Sequence, residues 1–208
     1  MTKDMTTGSP LKMILLFSIP VLLGNIFQQF YNMVDTIIVG QYLGEEALAA
    51  VGSTGCLMFL VLGFANGIAQ GFGVMISHAF GAKDFKLLKH YVALSLILTV
   101  IVSVLLTVPT VLASRQFLIL MKTPDNILSL ADAYIKIIFA GIILTMSYNV
   151  ASGILRGIGD SKTPLYFLIL SSALNIVLDI FLIVVVKLGT AGAAYATIIA
   201  QGISAILC

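Results

Sequence analysis

Two carboxylates, Asp35 and Asp179, lie inside apolar stretches long enough to cross a membrane. An ionised side chain at bilayer depth costs at least ~3 kcal/mol by insertion scales, so it is kept where it has a partner or lines an ion or substrate path. Asn175 stands four residues before Asp179, which puts an amide oxygen and a carboxylate on one helix face. Together with Asp35 and a hydroxyl such as that of Thr197, they would form a small all-oxygen pocket. Hard cations such as Na⁺ take oxygen ligands, and a buried carboxylate can hold a proton. These residue types leave both ions open. The other seven of the nine acidic residues read as tail, loop or span-end residues.

The elements that must position this pocket follow from composition. The 208 residues are 60% hydrophobic and 10% charged, against roughly a quarter charged in a soluble domain. The expected class is an all-α polytopic membrane protein. The formal net charge of +2 is spread over short loops with no basic stripe, so no nucleic-acid partner is expected. Cys56 and Cys208 both lie in apolar segments and imply neither a disulfide framework nor a metal site. The first apolar run, from Met13 to Val39, is too long for a signal-peptide core and reads as a retained span. Runs of about 20 apolar residues are needed to cross the hydrocarbon. Six are expected, at about 12–39, 47–77, 91–113, 133–155, 165–186 and 189–208, behind a tail over residues 1–11. Residues 12–208 thus form a six-transmembrane-helix bundle. Pro20 would bend the first span, because proline removes a donor and crowds the preceding turn.

The segments between spans are read as loops: 41–46, 78–90, 114–132 and 156–164. With the N-terminus inside, the inner side collects Lys3, Lys12, Lys83, Lys86, Lys89, Arg156 and Lys162, and the outer side only Arg115, Lys122 and Lys187. The positive-inside rule then places the N-terminus in the cytoplasm, in a multi-pass protein of the cytoplasmic membrane. There is no tryptophan, so an aromatic belt would come from Tyr42, Tyr91, Tyr134 and Tyr166. The sixth span stops at Cys208 with no basic flank, and the chain is expected to be part of a longer protein.

Polar residues recur at helical spacing within the spans. Span one has Asn25, Gln28, Asn32 and Asp35 on one face, with Gln29 and Thr36 beside them. Span four has Thr145, Asn149, Ser152 and Arg156, and span six has Thr197, Gln201 and Ser204. Polar atoms facing lipid would go unsatisfied, so these stripes should face one another or a wet cavity. The plainer reading is interhelical hydrogen bonding, worth about 0.6 kcal/mol a pair. Gly63, Gly67, Gly71 and Gly73 in span two predict close helix packing. Gly157-Ile158-Gly159-Asp160 matches the G-x-G-D signature of intramembrane aspartyl proteases, but it falls between spans and beside Pro164, where turn chemistry explains it.

The segment Leu155-Arg156-Gly157-Ile158-Gly159-Asp160-Ser161-Lys162-Thr163-Pro164 resembles the signature between spans four and five of the multidrug and toxic compound extrusion (MATE) family of secondary transporters. Pro20, Asn32-Met33-Val34-Asp35 and the Gly-Ala-Ala-x-Ala-Thr core of 189–201 support the resemblance, which covers the first half of a family member. It implies the N-terminal lobe of a 12-helix, two-lobed transporter. It also implies a cation-coupled antiporter, driven by Na⁺ or H⁺, that exports amphipathic cationic organic compounds, with no catalytic residues and no cofactor beyond the coupling ion. The implied cation site is Asp35, Asn175, Asp179 and Thr197. Tyr134 and Asn149 would support it, with Gln28, Asn32 and Ser152 along the cavity and Pro20 as the hinge. Ser152 stands where many members carry Asn. The implied partners are a small organic substrate, membrane lipid, and a second six-helix lobe or another copy, arranged as parallel repeats. One rival is a lipid-linked glycan exporter of the same superfamily. It would want a cationic cavity, and the spans offer only Arg156 and Lys136 at their edges. The remaining rivals are the G-x-G-D protease and a non-transporting helical fragment.

Overall fold

A computed structural model describes residues 10–208, so the expected tail falls largely outside the described residues. Among these residues the chain forms seven α-helices and no strand: α1 (Pro10–Leu43), α2 (Glu45–Gly81), α3 (Phe85–Leu120), α4 (Asp125–Ala140), α5 (Ile142–Gly157), α6 (Lys162–Ile180) and α7 (Thr190–Leu207). Five of them are long and apolar enough to cross a membrane. Counted as one span, the pair α4–α5, bent by 47° at its junction, makes a sixth.

The bend falls inside the span expected over 133–155, at Gly141. A Cβ at Gly141 would lie 2.4 Å from Cγ2 of Ile198, so α7 presses into the junction where only glycine fits. The Gly141 amide still reaches the Ile137 and Ile138 carbonyls at 3.0 and 3.1 Å.

The loops are shorter than expected, because helices run on past the apolar segments. α3 has 36 residues, or roughly 54 Å at 1.5 Å per residue, against roughly 30 Å of hydrocarbon. Of the segment 78–90, only residues 82–84 are non-helical. Asp84 stops the fraying there by accepting the Leu87 N–H at 2.9 Å. Of 114–132, only residues 121–124 are non-helical.

The core is a layer of large side chains from α4 and α5, with Phe139, Ile135, Ile142 and Met146 fully buried. Alanines of α2 (Ala50, Ala65, Ala69) and α7 (Ala193, Ala194, Ala196, Ala200) close around it, since small residues let apolar helices approach in a membrane. The glycine ridge expected to pack, Gly63-Gly67-Gly71, has open space where each Cβ would be. The close crossing uses Gly73 instead: its Cβ would lie 3.4 Å from the Gly153 carbonyl, and that of Gly157 3.1 Å from the Gly73 carbonyl. A serine-threonine stripe on α3, at Ser95, Thr99, Ser103, Thr110 and Ser114, is also buried. Thr99 bonds back to its own helix, and Ser103 reaches Met146.

Candidate functional site

Three helices bring the carboxylates together. α1 supplies Asp35 and, one turn earlier, Tyr31; α6 supplies Asn175 and Asp179; α7 supplies Thr197. Asp179 is 0% exposed, and Asp35, Tyr31, Asn175 and Tyr134 of α4 are buried beside it. Tyr31 donates its hydroxyl to Thr197 Oγ1 at 3.3 Å, and Asn175 Nδ2 donates to the same oxygen at 3.4 Å. Thr197 in turn donates to the Ala193 carbonyl at 3.1 Å. The carboxyls of Asp35 and Asp179 are near enough to act on each other, and Tyr134 is near enough to feel both charges.

Four buried oxygens here meet no donor: Asp35 Oδ1, Asn175 Oδ1 and both carboxylate oxygens of Asp179. Buried polar atoms without partners are rare, and such a group points to a strained or functional site, a water or an ion. A proton shared between the two carboxyls would give one of them a donor. A Na⁺ would draw on all four oxygens. No group of three or more His, Cys, Asp or Glu forms a metal-type cluster among the described residues.

Two residues after Asp179 the helix continues as a π-helical turn, Phe181–Val185. Such turns are uncommon and recur at functional sites. Here the wider turn ends the helix, with the Leu188 amide bonding back to the Leu182 carbonyl at 3.0 Å.

The other expected site residues lie elsewhere. Asn149 donates to Asn66 Oδ1 at 2.7 Å and to the Thr145 carbonyl at 2.9 Å. With Gln28, Ser152 and Pro20 it lines a separate cavity of about 120 Å³ between α1, α5 and α6. Asn32 is exposed and bonds Gln29 at 3.3 Å. At 100° per residue it stands about a sixth of a turn from Asp35, and it shares an outward stripe with the exposed Asn25, Gln29 and Thr36. The stripe read as Asn25-Gln28-Asn32-Asp35 is therefore two stripes, and only Gln28, Tyr31 and Asp35 turn inward. Tyr134 is the exception: expected both in an interfacial belt and as a support of the cation site, it is buried beside the carboxylates.

Two features escaped the sequence reading. Tyr31 is one turn before Asp35, and that spacing was signal enough to include it. Asp132, read as a loop residue, is a third buried carboxylate. It accepts from Ser114 Oγ at 2.6 Å and from Lys136 Nζ at 2.7 Å. Its i, i+4 lysine was the available clue.

Asp160, the acid of the G-x-G-D string, caps α6. It accepts the Lys162 and Thr163 amides, each at 3.1 Å, and the Thr163 hydroxyl at 2.8 Å. Slight burial opposes its ionisation, but these hydrogen bonds outweigh it and hold the carboxyl below its ordinary value. Its oxygens work at a helix terminus rather than in a span.

A family model described as MatE matches residues 20–181. The probable multidrug resistance protein YpnP of Bacillus subtilis is 37% identical over 201 residues, covering 97% of this chain and 45% of YpnP. The probable multidrug resistance protein NorM of Thermotoga maritima is 30% identical over 198 residues, covering 93% of this chain and 42% of that protein. A crystal structure of MATE in the bent conformation superposes with a TM-score of 0.88 at 34% identity, over 96% of this chain and 44% of that one. An outward-facing multidrug resistance MATE family transporter of the MOP superfamily superposes at 0.90, with the same identity and coverage. The chain thus spans somewhat under half the length of the relatives it matches.

Proposed function

The chain belongs to the MatE family, a family of membrane transporters, and from that premise we propose that it forms the first lobe of a cation-coupled exporter of amphipathic organic cations. The observation behind this reading is the Asp35–Asp179 pair, which with Asn175 holds four donor-less oxygens at the junction of α1, α6 and α7. Two ionised carboxylates at this depth repel each other and lack solvation. Binding of Na⁺ or a proton between them removes both penalties and draws α1 toward α6.

Release of the ion reverses this, and α1 is then free to bend at Pro20. That residue leaves the Leu16 carbonyl without its usual helical donor. An organic cation and the coupling ion compete for the same negative charge, which makes exchange obligatory. A membrane potential supplies about 2.3 kcal/mol per charge per 100 mV, enough to drive the cycle.

A cavity for such a substrate needs a second wall. Because the relatives are about twice as long, a second six-helix lobe is the proposed partner, and Asn25, Gln29, Asn32 and Thr36 face toward it. Alternating access would have one bundle rock against the other. The N-terminus lies on the cytoplasmic side of the cell membrane in this arrangement.

The test has two parts. Binding of radiolabelled Na⁺, or proton release on adding Na⁺, is measured on the purified chain and on Asp179→Asn. Dye efflux is measured from liposomes holding either the chain alone or the chain fused to a second six-helix lobe of the family. Ion binding that requires Asp179, and efflux only from the fused form, are the expected results. Ion binding unchanged in Asp179→Asn would remove the carboxylate pair from the mechanism.

A further inference from the structure

The cavity of about 120 Å³ at the α5–α6 end of the bundle holds chemistry that a cation exporter does not call for. Among the described residues its one charged lining residue is Arg156, in the last turn of α5 and only partly exposed. The side chain makes a single hydrogen bond, Nε to the Ser152 carbonyl at 3.2 Å. No carboxylate among the described residues pairs with it, and no carboxylate is among the groups acting on its charge. Asp160, four residues on, directs its oxygens to the Lys162 and Thr163 amides.

A half-buried guanidinium without a counter-charge is costly, and it is normally kept where its flat fork of donors meets a planar or tetrahedral anion. Both terminal amino groups are uncommitted here, four N–H donors in one plane. The rest of the wall suits the same ligand. Gln28 and the buried Ser161 offer further donors, with the exposed Asn25 at the rim. The Ser152 hydroxyl is buried on this wall without a hydrogen bond of normal geometry, next to Tyr148. The Tyr148 hydroxyl is held back by the Pro164 carbonyl at 3.4 Å. The volume is about four times the roughly 30 Å³ of one liquid water, room for a carboxylate or phosphate group.

We propose that this cavity is an oxyanion site, in which the free fork of Arg156 grips a carboxylate or phosphate while Gln28 and Ser161 fill its remaining lone pairs. The same chemistry has two sources: the head group of an anionic phospholipid, since basic pockets near span ends bind such heads, or a free organic or inorganic anion.

Thermal unfolding of the purified chain in non-ionic detergent separates them. The probes are phosphatidylglycerol in mixed micelles, inorganic phosphate and benzoate, each compared with detergent at matched ionic strength. The variants are Arg156→Gln, Arg156→Lys and, as a control for general surface charge, Lys162→Gln. At least one probe should raise the unfolding midpoint of the natural chain by several degrees. That rise should vanish in Arg156→Gln, shrink in Arg156→Lys, which keeps charge but loses the fork, and persist in Lys162→Gln. A rise with phosphatidylglycerol alone identifies a lipid head; a rise with phosphate or benzoate identifies a soluble anion. No rise with any probe, or an equal rise in both Arg156 variants, would overturn the proposal. Should Arg156→Gln fail to fold, the comparison of Arg156→Lys with Lys162→Gln still decides.

Discussion

Tyr31 of α1 donates a hydrogen bond from its hydroxyl to Thr197 Oγ1 of α7, 166 residues later in the chain, at 3.3 Å. Thr197 accepts from Asn175 as well, so one hydroxyl oxygen holds three helices around the carboxylates. Removing one donor should cost little: Tyr31→Phe is expected to lower stability by about 0.6 kcal/mol, the usual worth of an interhelical bond in a membrane. Thr197→Val strands two buried donors and should cost about 2 kcal/mol or more. Denaturation of the two variants in the same detergent checks the order, and equal losses would show that Thr197 is not the shared acceptor.

The pair Asp35 and Asp179 should trade stability for binding. In Na⁺-free buffer at alkaline pH the two charges repel at short range with no donor between them. Asp179→Asn removes one charge and nearly keeps the volume. Its unfolding midpoint is expected to lie above that of the natural chain in this buffer, while the rise on adding Na⁺ disappears. A midpoint that falls in Na⁺-free buffer would mean that the ionised pair is already compensated.

What was legible in the sequence was what short-range periodicity can carry. Spans could be counted from apolar runs, and Asn175 and Asp179 fell on one face because i, i+4 leaves little choice. Asn32 shows the limit. Spacings of three and four fit two neighbouring stripes equally well, and only packing of α1 against α6 and α7 decides which turns inward. The Gly141 bend was hidden for the same reason, since it depends on Ile198, far along the chain. Asp132 was missed because helices were ended where hydrophobicity ended, whereas the α4 backbone continues to Asp125.

That buried acid gives a third prediction. Asp132 has a side chain 11% exposed, bonded to Lys136, which is 44% exposed. Solvent screens part of the attraction, so the pair itself contributes about 1 kcal/mol or less. Lys136→Met should nevertheless cost more than that, because it leaves a carboxylate buried with only Ser114 as donor. Adding Asp132→Asn should recover part of the loss. Thermal midpoints of the two single variants and the double variant measure this coupling, and strict additivity would mean the pair is incidental.

Asp160 predicts a pH dependence with a definite sign. Its carboxyl is held below the ordinary value by hydrogen bonds that exist only in the folded chain. The resulting stability is therefore full above the unfolded-state value and is lost as pH falls through the lower folded value. Asp160→Asn keeps a capping oxygen but cannot titrate, so it should flatten the stability profile below about pH 4. Stability against pH for both forms tests it. Parallel profiles would show that Asp160 does not titrate with folding.

Gly141 offers the sharpest packing test. A methyl group there would sit 2.4 Å from Cγ2 and 2.9 Å from Cβ of Ile198. Ile198 is β-branched and stiff about its first torsion, so it cannot swing aside, and either α7 or the α4–α5 bend must move. Gly141→Ala should therefore cost about 1–3 kcal/mol, the range for overpacking. Ile198→Ala clears the space but loses its own packing. The double variant should then be more stable than the sum of the two single losses, by 1 kcal/mol or so. Because the bend sets where Tyr134 on α4 stands relative to Asp35, Gly141→Ala should also weaken Na⁺ binding, and the double variant should restore it. If stability recovers in the double variant while ion binding was never disturbed, the bend serves packing alone and the carboxylate pair is positioned without it.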